Sequence, residues 1–403
     1  MTRRLLLTLP FLLLTLASTR AQDSIPAHER FDDTAALIDQ DLQQRFGRLM
    51  LDPLMQQAQV GAFVYDLTDD RPLLAHGHRQ RMRPASTMKV LTAVAALDQL
   101  GGDYRLTTTA FVDAPLETNL RGSLYVRGGM DPLLGHDDLQ AMVNALRNGG
   151  VTTIEGDVVL DVSMKDANLL GWGWCWDDNE APLTPLIYRG KADFSTHLLS
   201  ALQSAGIQVR GQVREGRVAS QAQQLVVRTH AIDQVLRPMM KRSDNLMAES
   251  MFYQIAAASG KVPATRKEGA AAIERLVTQL GLRPADYQIA DGSGLSLYNY
   301  VSPELLVQTL RYAYSRAPIY DSFLPTLPIM GVDGTLQNRG QGTAARQRVW
   351  AKTGTLDGVV SLAGYAQAPN GHTLAFAFIL QGVPKAAAGR AWIDRACHLL
   401  TAR

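Results

Sequence analysis

A chain of 403 residues, 46% apolar and 19% charged, is too long for one small core and fits about two domains of ordinary soluble type. Past its N-terminus no run is long and apolar enough to cross a bilayer. Removing Arg3, Arg4 and Arg20 takes the formal charge of +2 to about −1, and no basic stripe is left to hold a nucleic acid.

In chain order, "MTRRLLLTLPFLLLTLASTRAQ" comes first. It has a basic start, an apolar run from Leu5 to Ala17 broken by Pro10, and small residues before a cut after Ala21. This reads as a secretory signal peptide over residues 1–21, too short for an anchor. The strongly apolar run favours the general export route over a twin-arginine one, and with no cysteine near the cut a lipid anchor is not indicated. The mature chain is expected in the periplasm or outside the cell. Its cysteines, Cys175 and Cys397, are too far apart to form a recognisable disulfide framework.

A helix is expected in "DTAALIDQDLQQRFGRLM", then strand, turn and strand in "VGAFVYDLTDDRPLLAHG". "ASTMKVLTAVAALDQLGG" follows as a buried helix stopped by Gly101 and Gly102. From Tyr104 to about His230 short β-rich pieces alternate with glycines: "SLYVRGG", "TIEGDVVLDVS", "GIQVRGQVREG" and "QQLVVRTH". Two helical pieces, "DDLQAMVNALRNGG" and "STHLLSALQSAG", interrupt them. Helices then recur at "DQVLRPMMKRSDNLMAESMFYQIAAASG", "TRKEGAAAIERLVTQLG" and "SPELLVQTLRYAYS". Strands "RVWAKTGTL", "VVSLAGYAQ" and "TLAFAFIL" and a last helix close the chain. This order predicts an α+β fold: an antiparallel sheet covered by helices, formed by residues 22–103 and 231–403, with one smaller α+β domain inserted at 104–230.

Three motifs carry chemistry. Ser86 and Lys89 sit three apart where a helix begins, so they share a face and the amine can approach the hydroxyl. A serine attacks only when a base takes its proton, and a lysine serves only if burial or a neighbouring cation lowers its pKa. Alone, such a pair occurs by chance in a chain this long about as often as not. Ser243, Asp244 and Asn245 precede a second helix, where such residues ordinarily act as N-caps. They also offer a hydroxyl and an amide from one short loop. Lys352, Thr353, Gly354 and Thr355 lie on a late β-rich run. Gly354 removes a side chain where a backbone or ligand must come close, Lys352 adds a second cation, and the threonines suit a carboxylate. Together, in this order, S-x-x-K, S-D-N and K-T-G are the signature of penicillin-binding proteins and class A β-lactamases.

With "PASTMK", "MKRSDNLMAE", "ADGSGLS" and "AKTGTLDGVVSLAGY", and with "GWGW" and "EGDVVLDVS" in the inserted region, the chain resembles the type-4 penicillin-binding proteins, D-alanyl-D-alanine carboxypeptidases and endopeptidases. The resemblance implies a serine β-lactamase/DD-peptidase-like domain, peptidoglycan stem peptides as substrates, β-lactams as covalent inhibitors, and no metal or organic cofactor. It implies that Ser86 attacks the bond between two D-alanines and forms an acyl-enzyme after Lys89 takes its proton. Ser243 with Lys352 would then relay a proton to the leaving amine. Asn245 would hold the acyl-side amide, Thr353 and Thr355 the terminal carboxylate, and the Ser86 and Thr355 N–H groups the oxyanion. A β-lactamase or esterase on the same fold is disfavoured by the long gap between the first two motifs and the lack of a loop glutamate motif. A non-catalytic β-lactam sensor is disfavoured by complete motifs.

Two departures stand out. Relatives usually insert two modules between the first two motifs, whereas this chain has room for about one. Relatives that read a diaminopimelate side chain commonly place an arginine after "DGSGLS", where this chain has Leu297; Asp357 adds a negative charge nearby. Both suggest weak selection for a side-chain carboxylate. Trp172, Trp174 and Trp176 are read as one face of an extended run, packed against the main domain rather than stacked on sugars. Asp161 and Asp166 are read as turn or surface carboxylates rather than parts of a substrate pocket. His76 and His78 make half a metal site with no second half, so no metal is assigned.

Overall fold

The computed structural model describes residues 40–402. The expected signal peptide and residues 33–39 of the first expected helix lie outside these residues, and the rest of that helix is the first described element. The described elements run α1 (Gln40–Leu49), β1 (Gln59–Asp66), β2 (Arg71–His76), α2 (Met88–Leu100), β3 (Arg105–Val112), β4 (Asn119–Leu120), β5 (Leu124–Arg127), α3 (His136–Asn148), β6 (Thr153–Ile154) and β7 (Val158–Asp161). Next come α4 (Phe194–Ser204), β8 (Gln208–Val209), β9 (Val213–Glu215), β10 (Gln223–Ala231), α5 (Ile232–Lys241), α6 (Asn245–Ala257) and α7 (Arg266–Gln279). The chain closes with α8 (Pro303–Tyr314), α9 (Ala317–Phe323), β11 (Val349–Leu356), β12 (Val359–Gln367), β13 (Thr373–Gln381) and α10 (Ala386–Thr401).

Chain ends that are far apart in sequence build the main sheet. Its order is β11-β12-β13-β1-β2, antiparallel throughout, with β1 paired to β13 from Gln59↔Gln381 to Asp66↔Leu374. Both faces are covered, so its central strands are apolar on both sides. On β12, Val360, Leu362 and Ala366 join Phe376 and Phe378 of β13 in a core with Phe46 of α1 and Trp392 of α10. The alternate residues face the other helices: the Tyr365 hydroxyl donates to the Leu310 carbonyl of α8, and Ser361 meets Thr87. This alternation is the period-two geometry of a strand.

A second sheet, β10-β3-β5-β7-β9, and a small parallel one, β4-β6-β8, both fall between residues 105 and 231. The second is antiparallel from β10 to β5 and parallel from β5 to β9. α3 and α4 close them into one core that includes Leu124, Val126, Leu139, Leu146, Ile154, Leu198 and Leu202. Between β7 and α4, residues 162–193 contain no helix or named strand.

This segment corrects the tryptophan reading. The backbone turns over at Gly173 (φ 81°), so the three rings do not share a face. Trp172 packs on Tyr298 with the Arg266 guanidinium over it, Trp174 donates to Asp291, and Trp176 is 96% exposed. Asp161 accepts from the Ser163 and Val218 N–H groups and from Arg127, and Asp166 from Lys165 and Asn168, as turn carboxylates do. Cys175 and Cys397 are both free. Among the described residues no helix is long and apolar enough to cross a membrane.

Candidate active site

Ser86 lies in the middle of a 3-10 turn, Ala85–Thr87, that leads into α2. α2 is buried from Met88 to Leu97 and mostly apolar there, as expected of a helix at the centre of a fold. The turn is held from both sides. Thr87 Oγ1 and Ser361 Oγ each donate to the Pro84 carbonyl at 2.6 Å. β11 presses directly on it: a Cβ on Gly354 would stand 2.2 Å from Ser361 Oγ, 2.8 Å from Pro84 O and 3.0 Å from Ser86 N. Glycine is therefore required where the K-T-G strand passes the serine.

Lys89 Nζ lies 2.9 Å from Ser86 Oγ, 2.7 Å from Asn245 Oδ1 and 2.7 Å from the Ser293 carbonyl. Two of these partners can only accept. A neutral amine has two N–H bonds and one lone pair, so once both acceptors are served the lone pair faces the serine hydroxyl. Burial pulls Lys89 down to about 8, against the opposing pull of Asp291, Glu249, Asp244 and Glu180. A deprotonated base is thus accessible near neutral pH.

A second pair stands opposite. Lys352 Nζ lies 2.8 Å from Ser243 Oγ and 2.6 Å from the Thr353 carbonyl. It is held well below the lysine range, first by burial and then by the charge of Lys89. Among the described residues six non-glycine positions have positive φ, and two are Ala85 (49°), beside one serine, and Ser243 itself (63°). Such backbone persists only when its surroundings force it, and it clusters where geometry matters more than local stability.

The four catalytic candidates and Asn245 therefore converge, and Thr353, Gly354 and Thr355 line the same strand. Asp244 caps α6, accepting from the Met247 N–H at 3.0 Å. The ordinary N-cap reading thus holds for Asp244 and leaves Ser243 and Asn245 free for the site. Thr353 shares a hydrogen bond with Thr335. Among the described residues, neither Leu297 nor Asp357 is hydrogen-bonded to these side chains. The Leu297 carbonyl accepts from Arg83 Nε at 3.0 Å, and Arg83 and Asp357 border one cavity of about 470 Å³.

Several neighbours carried no sequence signal. Asn245 Nδ2 donates to Glu180 at 2.5 Å, which brings the irregular 162–193 segment to the site. Trp174 of the same segment donates to Asp291, whose oxygens also accept from the Gly294 and Ser296 N–H groups and so shape the loop that presents Ser293. "ADGSGLS" marked this loop, but nothing in it indicated that a backbone carbonyl would meet the base.

The model of the D-Ala-D-Ala carboxypeptidase 3 (S13) family matches residues 42–188 and 186–402. The chain belongs to that family. It is accordingly an enzyme of the serine DD-carboxypeptidase class. This S13 chain is 26% identical to the D-alanyl-D-alanine carboxypeptidase DacB of Haemophilus influenzae, over 82% of its own length and 86% of the relative's. It is 28% identical to the D-alanyl-D-alanine carboxypeptidase of an Actinomadura species, over 85% and 81%. The crystal structure of penicillin-binding protein 4 from Haemophilus influenzae shares its fold, with a TM-score of 0.80 at 24% identity, covering 87% of this chain and 97% of that one. The α+β, DD-peptidase-like fold expected from the motifs is therefore the fold of this S13 enzyme.

Proposed function

We propose that this S13 enzyme is exported to the periplasm and cleaves D-alanyl-D-alanine bonds of peptidoglycan stem peptides through an acyl-enzyme on Ser86, as a carboxypeptidase, an endopeptidase or both. The observation that carries the reading is the Lys89–Ser86 contact at 2.9 Å, with Lys89 saturated by two further acceptors. Lys89 takes the hydroxyl proton as Ser86 attacks. The Lys352–Ser243 pair returns a proton to the departing amine. Asn245, oriented by Lys89 on its oxygen, keeps one N–H for the substrate while Glu180 takes the other. Thr353 and Thr355 take the terminal carboxylate. The Ser86 and Thr355 N–H groups serve the oxyanion, each worth roughly 3–4 kcal/mol. Water releases the acyl group. Penicillins acylate Ser86 and leave slowly. Residues 22–103 and 231–403 act as the catalytic domain and 104–230 as the insert.

Labelled penicillin and a D-Ala-D-Ala stem peptide test this on the mature chain. A long-lived adduct lost in Ser86→Ala, with release of D-alanine, is expected. An adduct without D-alanine release or crosslink cleavage would leave only a sensor, and fast penicillin hydrolysis would make it a β-lactamase.

Substrate choice follows from Leu297 and Asp357. With Leu297 in place of an arginine and Asp357 nearby, stem peptides with and without a side-chain carboxylate are expected to turn over within about threefold of each other. A preference for the carboxylate above about tenfold would overturn this and point to Arg83, whose Nε is already committed to the Leu297 carbonyl.

A further inference from the structure

Behind Lys89 lies a buried carboxyl to which the scheme above gives no task. Glu249, on α6, is 1% exposed. Its Oε1 accepts the N–H of Gly292 at 3.1 Å and of Ser293 at 2.8 Å. The Gly294 N–H, in the same peptide unit as the Ser293 carbonyl, goes to Asp291 Oδ1 at 2.7 Å. The Gly292 carbonyl, in the unit before, accepts from Thr92 of α2 at 2.7 Å. Asp291 and Glu249 thus hold consecutive peptide units, and the result is a Ser293 carbonyl aimed at Lys89 Nζ.

We propose that Glu249 is a positioning residue for Lys89: it holds the 291–294 loop so that the Ser293 carbonyl steers the amine toward Ser86, and its charge biases whether that amine carries a proton. The inference rests on Ser86 being the nucleophile and Lys89 its base. Asp291 faces the Glu249 carboxyl from the loop, Lys89 from α2, Lys165 from the 162–193 segment and Tyr253 from its own helix. Burial, then Asp291, pushes Glu249 up to about 8, against its hydrogen bonds and Lys89. Burial opposes the charge on both groups while each one's charge favours the other's, so the two titrate as a coupled pair. An ionised Glu249 favours the ammonium; a neutral side chain there favours the free amine. Glu249 also borders a cavity of about 380 Å³ with Trp172, Tyr253 and Arg266, and neither Ser86 nor Lys89 lines it.

Glu249→Gln keeps an oxygen for the Gly292 and Ser293 N–H groups and removes the charge. The second-order rate of penicillin acylation is measured against pH on the mature chain. The acid limb is expected to move to lower pH by half a unit or more, with the plateau within about threefold of the parent and thermal unfolding within a few degrees. A limb that stays in place or moves up overturns the proposal. Glu249→Ala leaves both N–H groups without a partner and is expected to lower the plateau by about tenfold or more. A folded Ala variant with the parent plateau also overturns it, and if that variant does not fold, the Gln limb decides. No adduct in the parent chain would instead be a failure of the Ser86 reading.

Discussion

Lys89→Met is expected to slow penicillin acylation of Ser86 by about 10²–10⁴-fold, the usual range for losing a positioned general base. The fold is expected to survive. Methionine fills most of the space of the lysine stem, and the variant no longer desolvates an amine. Against this, Asn245 Oδ1 and the Ser293 carbonyl lose their donor, at about 1–3 kcal/mol for each buried group left unpaired. The pH profile separates loss of the base from general damage. Attack requires neutral Lys89, so the parent rate rises with pH through about 8 and levels off above it. The methionine variant is expected to show no such limb. A variant within tenfold of the parent rate, with the same limb, would move the base elsewhere. Lys352 would be the first candidate, being buried, held well below the lysine range and paired with Ser243.

What the sequence revealed depended on how local the cause was. β12 and β13 were legible because both faces of the sheet are covered and their apolar runs are bounded by a turn. α2 was legible from its buried length and its glycine stop. The catalytic candidates were legible because their chemistry needs fixed spacings: three residues along a helix for Ser86 and Lys89, one loop for Ser243 and Asn245. α9 escaped notice, being seven residues with a proline in its first turn and no side-chain cap. β3 was not singled out because three consecutive threonines interrupt the apolar pattern of "RLTTTAFV"; they pair across to β10. Residues 162–193 were opaque for a deeper reason. Their path is set by Trp174 on Asp291 and Glu180 on Asn245, 117 and 65 positions apart in sequence. No local propensity encodes such contacts. Long irregular segments are usually functional when they are ordered, and this one ends on a side chain of the site. The Ser293 carbonyl and its support by Glu249 were equally hidden, since any residue supplies a carbonyl and a glutamate on a helix ordinarily reads as solvent-facing.

Gly294→Ala is expected to be the most damaging small change outside the catalytic side chains. Gly294 adopts φ 81°, in the left-handed region, where an alanine costs about 1–2 kcal/mol. Space is the larger problem. A Cβ there would stand 1.9 Å from the Ala85 carbonyl oxygen and 2.8 Å from Met88 Cβ. The first of these atoms is backbone in the turn that carries Ser86, so no rotamer relieves the clash. Forcing a methyl group into a packed interior costs a further 1–3 kcal/mol or so. The total, about 2–5 kcal/mol, is measurable by denaturant titration. The relaxation has only two directions. Either the 291–294 loop retreats and draws the Ser293 carbonyl off Lys89, or the 85–87 turn retreats and moves Ser86 off β11 at Gly354. Both separate the nucleophile from its surroundings. Acylation at a temperature where the variant is still folded is therefore expected to fall by at least tenfold. Gly371→Ala is the control: it also has positive φ, at 87°, but a Cβ there meets nothing within 4 Å. It is expected to lose only the backbone contribution and to keep the parent acylation rate. Equal effects from the two substitutions would show that backbone strain alone, and not contact with the Ser86 turn, explains the loss.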